Sequence, residues 1–230
     1  MHFRLNNRVI IQITGLSVEE YLQGLVTNDI KLLQAQDSIY SALLTPNGRF
    51  LFDFFVVKAE DIIYIDIADI FADDFISTMN KYKLRQKIII EKCENFTVIA
   101  GSNVENAVKF YTDTRSPSIG IRNIVKSDTI FHNLHSADEY NSFLIQNKVV
   151  DGRFIPQNKG IILEYDFENL NGVSFTKGCY LGQELITRTK RMGQIRKQII
   201  LCKNDEICAA DVITSDAKYK LVMQKIDNIS

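Results

Sequence analysis

Three apolar segments joined by turn sequences constrain the fold of this chain most. Ser41 to Leu44 leads into Thr45-Pro46-Asn47-Gly48-Arg49, and the apolar run Phe50 to Val57 follows directly. Proline and Asn-Gly are typical of tight turns between paired strands, so the sequence predicts a β-hairpin here. The run from Ile62 to Ile67 predicts a third strand of the same antiparallel sheet.

Helices are predicted on both sides of this hairpin sequence. Ser17 and Glu20 fit a capping box that begins a helix from Val18 to about Leu25. Further predicted helices lie at 71–83, 103–111 and 137–147, and further predicted strands lie at 8–13, 88–90, 96–100, 129–132, 198–202, 211–214 and 220–223. This order predicts an α+β fold with mainly antiparallel sheets.

The composition bounds the class of protein. The chain has 230 residues, 46% of them apolar and 24% charged, which is ordinary for one large or two small globular domains. Its formal net charge of -1 gives no basic footprint for nucleic acid or a membrane surface. No apolar run approaches the roughly 20 residues of a spanning helix. The first residues lack the apolar region of a secretory signal and the arginine bias of a transit peptide.

The cysteines suggest a reducing compartment. Cys93, Cys179, Cys202 and Cys208 are scattered and form no C-x-x-C pair. Free thiols in a reducing cytosol are the simplest interpretation. We expect a cytoplasmic protein, and we expect it to be bacterial.

Reactive, flexible and charged residues crowd into one stretch, Lys177-Gly178-Cys179-Tyr180-Leu181-Gly182-Gln183-Glu184. A short helix is predicted after it, at 185–193, with Glu184 and Arg188 in an i,i+4 pair. Cys179 is thus expected in a glycine-hinged turn at or just before a helix N-terminus, near Lys177. Both features favour the thiolate. The alternative is a glycine-rich turn around a half-buried, inert cysteine.

Other patterns of catalytic or metal-binding chemistry are weak. The sequence has neither a phosphate-binding loop followed by Lys-Ser/Thr nor a G-x-S-x-G motif. His132 and His135 are three residues apart and could face one side of a helix, but no carboxylate or cysteine cluster converges on them, so solvent-exposed or core-edge histidines are expected. Ligation of a cluster by Cys202 and Cys208 is possible but nothing in the sequence motivates it, and we expect no metal site. Asp53 stands among phenylalanines and must face solvent, find a hydrogen-bond donor or line a pocket.

The stretch at 177–184 resembles the K-G-C-Y-x-G-Q-E signature of the YgfZ-type folate-binding proteins. These proteins are relatives of the glycine-cleavage T-protein and of a mitochondrial iron–sulfur assembly factor. The segments that agree with the family in order are 13–15, 21–29, 43–49, 82–87, 152–156, 163–164 and Arg188. The resemblance covers residues 8 to about 200.

The resemblance implies α+β folate-binding modules around a central cavity, followed by a C-terminal β-barrel. We expect a T-protein-like domain at 1–194, possibly of two sub-modules, and a shortened barrel-like segment at 195–230. Nothing in the family pattern places a histidine base near Cys179, which argues against a protease-like nucleophile.

In function, the resemblance implies an accessory protein that binds tetrahydrofolate or a derivative and helps to assemble or repair 4Fe–4S clusters. Cys179 is the expected functional thiol, with transient contact to a cluster, and Lys177 is expected to hold its charge or a folate glutamate tail. The expected cofactor-binding residues are Gly178, Tyr180, Gly182, Gln183, Glu184, Arg188, Asn28 and Asp53. Expected partners are folate and iron–sulfur client or assembly proteins, without nucleic acid or membrane.

Two alternatives remain open at this point. One is a folate-dependent aminomethyl-type transferase, which needs a carboxylate beside the folate; Asp73 and Asp74 fall in the right region, but no local motif fixes either. The other is a scaffold that has lost folate and only docks partners. The chain has no tryptophan, so stacking on a folate must come from Tyr or Phe.

Overall fold

A computed structural model of the chain describes residues 1–193, 195–208 and 210–226. Its strands are β1 His2–Arg4, β2 Arg8–Gly15, β3 Ser38–Leu44, β4 Phe50–Ala59, β5 Ile62–Ala68, β6 Ile88–Cys93, β7 Phe96–Gly101, β8 Lys109–Thr112, β9 Ile121–Lys126, β10 Lys197–Lys203, β11 Asp211–Ser215 and β12 Tyr219–Lys225. Its α-helices are α1 Val18–Gln23, α2 Ala72–Tyr82, α3 Ala137–Gln146 and α4 Gln183–Arg191.

The largest sheet has five strands in the order β3-β4-β5-β2-β6, each paired antiparallel with its neighbours. The predicted hairpin joins β3 to β4, where the Thr45 N–H donates to the Arg49 carbonyl at 2.7 Å. Phe52 and Phe54 of β4 pack in one core, and Phe55 packs in the other. Both faces of β4 are therefore buried, which explains its almost continuous apolar sequence.

The two smaller sheets are also antiparallel. One has the order β1-β7-β9-β8, and the other has the order β10-β12-β11. The α+β class with antiparallel sheets is thus confirmed. The division of the chain at residue 194 stays a prediction, and residues 194, 209 and 227–230 of the two proposed domains lie outside the described residues.

A buried ionic network joins the five-stranded and four-stranded sheets. Asp66 of β5 accepts from Arg8 of β2 at 2.7 Å and from Arg122 of β9 at 2.5 Å. Arg122 also donates to Asp113 at 3.0 Å, and Arg115 donates to Asp113 at 2.7 Å. All five side chains are almost fully buried, so the network pairs the charged groups that are buried where the two sheets meet.

Three local predictions were wrong. Ser17 adopts a left-handed conformation with φ 61° and makes no capping hydrogen bond. The segment at 103–111 is not a helix, and its last residues begin strand β8. The segment at 129–132 forms no strand. The helices near 72–82 and 137–146 and the three C-terminal strands are confirmed.

Within the described ranges, no helix has both the length and the apolar character needed to span a bilayer.

Candidate functional site

Lys177 anchors the signature stretch to the loop after α1. Its Nζ donates to the backbone carbonyls of Gln23, Val26 and Asn28 at 2.8, 2.7 and 2.8 Å. It also lies 5.1 Å from the centre of the Tyr180 ring. Burial lowers the pKa of Lys177 to about 8. Three acceptors nevertheless favour the ammonium form, because a neutral amine has only two hydrogens to donate.

This geometry corrects the role expected for Lys177. All three of its ammonium hydrogens are directed at backbone carbonyls. None remains for a thiolate at Cys179 or for a folate carboxylate. Lys177 is therefore a residue that fixes the loop, and the charge of any thiolate must be stabilised by something else.

Cys179 is an exposed free thiol on this anchored loop. Its neighbours are fixed on the C-terminal side, because the Tyr180 N–H donates to Gln183 Oε1 at 3.2 Å and the Leu181 N–H donates to the Gly24 carbonyl at 3.0 Å. Tyr180 itself is buried. The alternative of a half-buried cysteine is therefore wrong, because Cys179 is exposed and lies on a loop held on both sides.

The two glycines of the motif have different roles. Gly182 has φ 78°, and a Cβ there would lie 2.4 Å from the Thr45 carbonyl oxygen and 2.9 Å from the Gly48 Cα. Gly182 therefore packs against the β3–β4 hairpin of its own chain, where we had expected it to admit a ligand. A Cβ on Gly178 would meet no atom within 4 Å, so the backbone beside Cys179 is open to an approaching molecule.

Helix α4 begins at Gln183, earlier than predicted. Glu184 and Arg188 are both exposed, and no salt bridge joins them in the described structure. The predicted i,i+4 pair is therefore wrong, because both side chains extend into solvent. Their role in binding a cofactor stays a prediction.

A cavity of about 710 Å³ lies beside the anchored loop. Its walls come from residues within 28–39, 112–117 and 171–176, so the last wall segment continues directly into Lys177. Asn28 shapes one wall: its amide donates to the Tyr40 and Asn171 carbonyls at 2.8 and 2.7 Å. With both amide hydrogens engaged, Asn28 holds the cavity open and has only its carbonyl oxygen, already bonded to the Asp29 N–H, to offer a ligand.

Asp53 does not join this site. It is buried, does not line the cavity, and accepts from the Tyr40 hydroxyl at 2.9 Å through Oδ2. Its Oδ1 has no hydrogen-bond partner among the described residues. Burial raises the pKa of Asp53, and nearby Arg8 opposes this rise while Asp151 adds to it. Asp53 and the 177–184 motif therefore do not form one binding site, and the prediction that Asp53 binds the cofactor with the motif is wrong.

The carboxylates considered for aminomethyl transfer are also elsewhere. Asp73 and Asp74 lie exposed in the first turn of α2 and do not line the cavity. Of His132 and His135, which were considered together as possible metal ligands, His135 contacts Glu139 at 2.8 Å on the surface.

Phe175 in the cavity wall was not predicted from the sequence. An aromatic residue two positions before Lys177 was a usable signal, because the chain has no tryptophan to stack on a ligand.

Comparison with known proteins gives relatives along most of the chain. It is 31% identical over 223 residues to the "Iron-sulfur cluster assembly factor IBA57 homolog, mitochondrial" of Mycosarcoma maydis, covering 86% of this chain and 55% of that protein. The homologue with the same description from Dictyostelium discoideum is 31% identical over 246 residues, covering 85% and 60%. The IBA57 factor of Mus musculus is 26% identical over 234 residues, covering 87% and 65%. The chain thus spans somewhat over half the length of these relatives, and no family model matches it.

A solved structure shares the fold. The glycine cleavage system aminomethyltransferase T from Bartonella henselae superposes with a TM-score of 0.71 over 97% of this chain and 78% of that chain, at 14% identity. This confirms the T-protein-like fold. The expected bacterial, cytoplasmic location is contradicted, because these IBA57 relatives are named as mitochondrial proteins.

Proposed function

We propose that this chain, a relative of the IBA57 iron–sulfur cluster assembly factors with the fold of the glycine-cleavage T-protein, is itself an accessory factor in iron–sulfur cluster assembly or repair. The observation that carries the proposal is the Cys179 thiol, which stands exposed on a loop that Lys177 and Leu181 fix to the main body. A thiolate is the side chain that iron–sulfur chemistry uses most.

The fixed loop matters for this function. A ligand to iron is effective when its position is held by the protein, because less conformational entropy is lost on binding. The open space beside Gly178 leaves room for a partner protein to bring a cluster to the sulfur. We infer that Cys179 releases its proton to solvent and its thiolate coordinates iron, while the ligand that it displaces stays on the partner protein and takes up a proton from solvent.

The cavity next to the loop supports a folate ligand. Its volume of about 710 Å³ falls in the range of small-molecule sites. Phe175 offers an aromatic face for stacking, and the Asp29 carboxylate and the backbone of 171–176 offer hydrogen-bonding groups. We propose tetrahydrofolate or a derivative as the ligand. Because 171–176 leads into Lys177, a ligand bound there would lie next to the fixed loop that carries Cys179.

The function is tested in cells that lack the gene for this protein. The activity of a 4Fe–4S enzyme in such cells is compared with and without the full chain supplied in trans. We expect the chain to restore that activity, while enzymes without a cluster stay unchanged. If the activity of the 4Fe–4S enzyme is equally low with and without the chain, the chain has no part in cluster assembly.

Folate binding is tested separately by calorimetric titration of the purified protein with tetrahydrofolate. We expect saturable binding that Phe175→Ala weakens by roughly tenfold, since base-like stacking on an aromatic ring is worth about 1–3 kcal/mol. Phe154→Ala is the matched control, because Phe154 is similarly exposed but does not line the cavity. No saturable binding would favour a scaffold without folate, and measurable transfer of a one-carbon group would favour a transferase.

A further inference from the structure

The C-terminal sheet brings three potential metal ligands together, away from the Cys179 loop. A Cys202 sulfur, a Glu206 carboxylate oxygen and the Cys208 sulfur all lie within 4.8 Å of one another. None of the three residues lines the 710 Å³ cavity. The sequence alone did not predict that Cys202 and Cys208 lie close together, because it did not reveal the turn between them that brings the two sulfurs together.

The turn after β10 builds this cluster. Cys202 is buried near the end of the strand, and the Glu206 N–H donates to the Lys203 carbonyl at 3.2 Å to close a tight turn. The Glu206 carboxylate accepts from the Lys203 N–H at 3.0 Å through Oε2, and Oε1 accepts no hydrogen bond from the residues that the structure describes. The next side chain, Ile207, points fully into solvent, and Cys208 after it turns back towards the sheet.

A neighbouring lysine balances the charge of the cluster. Lys220 lies opposite Cys202 on β12, and its Nζ donates to the Glu206 carbonyl at 2.8 Å and to the Asn204 carbonyl at 3.3 Å. Two thiolates and a carboxylate carry three negative charges, so a divalent cation would leave one. The Lys220 ammonium compensates that remaining charge.

We propose that Cys202, Glu206 and Cys208 bind a zinc-type divalent cation, with a fourth position open to water or to an incoming ligand. Two thiolates select such a metal over Mg²⁺ or Ca²⁺, which prefer all-oxygen sites. Zinc accepts thiolate and carboxylate ligands at about 2.3 and 2.0–2.2 Å in a tetrahedron, which needs only small side-chain adjustments from the observed spacing. Binding releases the two thiol protons to solvent.

The carboxylate distinguishes this site from a redox pair. A disulfide between Cys202 and Cys208 would need only the two sulfurs, whereas the turn also holds Glu206 with one oxygen free. The hydrogen bonds between Glu206 and Lys203 fix the carboxylate beside Cys202, the residue before Lys203. The site is independent of the function proposed for Cys179.

The test is a zinc titration of the full chain, reduced and freed of metal, in competition with a chromophoric chelator. We expect one zinc per wild-type chain. Affinity should fall roughly tenfold or more in Cys208→Ser and in Glu206→Gln, the latter an exposed position that leaves the core intact. Cys93→Ser, which removes a thiol outside the cluster, should bind like wild type.

Cobalt substitution gives an independent readout of the ligands. Tetrahedral Co²⁺ bound by thiolates shows a sulfur-to-metal charge-transfer band, and we expect this band in wild type and Cys93→Ser but not in Cys208→Ser. The proposal is overturned if wild type takes up no zinc, if it forms only a disulfide, or if Cys208→Ser and Glu206→Gln bind zinc as tightly as wild type.

Discussion

Lys177 shows how a residue predicted to take part in chemistry can instead determine where the chemistry happens. A helix leaves its last backbone carbonyls without partners inside the helix. The Lys177 ammonium group donates hydrogen bonds to three carbonyls at and just after the end of α1. The same ammonium group lies 5.1 Å from the centre of the Tyr180 ring. The position of Cys179 therefore depends on a lysine that does not need to touch the thiol.

Replacing Lys177 tests this structural role. We expect Lys177→Met to lower the free energy of unfolding by roughly 2–3 kcal/mol, because the apolar stem is kept while partly buried carbonyls lose their donor. Denaturant unfolding at neutral pH measures the change. Lys31→Met is the control, since Lys31 is exposed in the short 3-10 helix that follows the contacted loop. Equal small effects in the two variants would contradict the anchoring role.

At the scale of elements, α4 is positioned by contact with the β3–β4 hairpin. Gly182 precedes the helix and Gly48 closes the hairpin, and each needs a positive φ and lacks room for a side chain. A Cβ on Gly48 would lie 2.6 Å from the Gly182 carbonyl oxygen and from the Leu185 Cβ. The hairpin segment and the 177–184 signature, which resemble the same family in two separate parts of the chain, thus pack against each other.

The two motif glycines should respond differently to alanine. Gly182→Ala is expected to destabilise the fold by roughly 2 kcal/mol or more, since it adds a left-handed non-glycine residue and a clash with backbone. Gly178→Ala meets open space and should leave stability nearly unchanged. Thermal and denaturant unfolding of both variants measure the contrast. Similar stability of the two proteins would mean that the hairpin and α4 are not packed as described.

Elements were predictable where the signal is local. Pro46 and Gly48 identified the hairpin, and apolar spacing identified α2, because turns and amphipathic faces follow from a few adjacent residues. Ser17 failed as a cap because its backbone is left-handed, which places the hydroxyl away from the helix N–H groups. The strand at Lys109–Thr112 was missed because its stability comes from pairing with β9, and pairing partners are invisible in a short window.

At the scale of the whole molecule, the five-membered ionic network could not be foreseen. Arg8, Asp66 and Arg122 are far apart in sequence and meet only when two sheets pack. The same reason hid the cavity, whose walls come from three separate segments. The signature at 177–184 was readable because its residues are contiguous, but the direction in which each side chain points was not.

The network predicts how stability depends on acid. Paired arginines hold the pKa values of Asp66 and Asp113 below the ordinary 3.8, although burial alone would raise them. Their contribution is therefore complete above pH 3.8 and is lost as the pH falls below it, because the unfolded chain binds protons first. Burial raises the pKa of Asp53, so its contribution has the opposite sign and stability is lost as the pH rises above 3.8.

Asp113→Asn isolates this effect. At neutral pH we expect it to cost roughly 3–5 kcal/mol, because Arg115 and Arg122 keep buried charges without their carboxylate. It should also flatten the loss of stability below pH 3.8. Unfolding followed by circular dichroism across pH measures both. Asp74→Asn, at an exposed position, should match wild type; an acid profile of Asp113→Asn identical to wild type would contradict the network's role.

The central claim, that the exposed Cys179 thiol is what this fold presents to iron–sulfur chemistry, is tested most directly by one activity measurement. In cells that lack the gene, the activity of a 4Fe–4S enzyme is measured with wild type, Cys179→Ser or Cys93→Ser, at equal protein levels. We predict full rescue by wild type and by Cys93→Ser, and activity no higher than in the empty strain for Cys179→Ser, although that variant folds normally. Full rescue by Cys179→Ser would contradict the account.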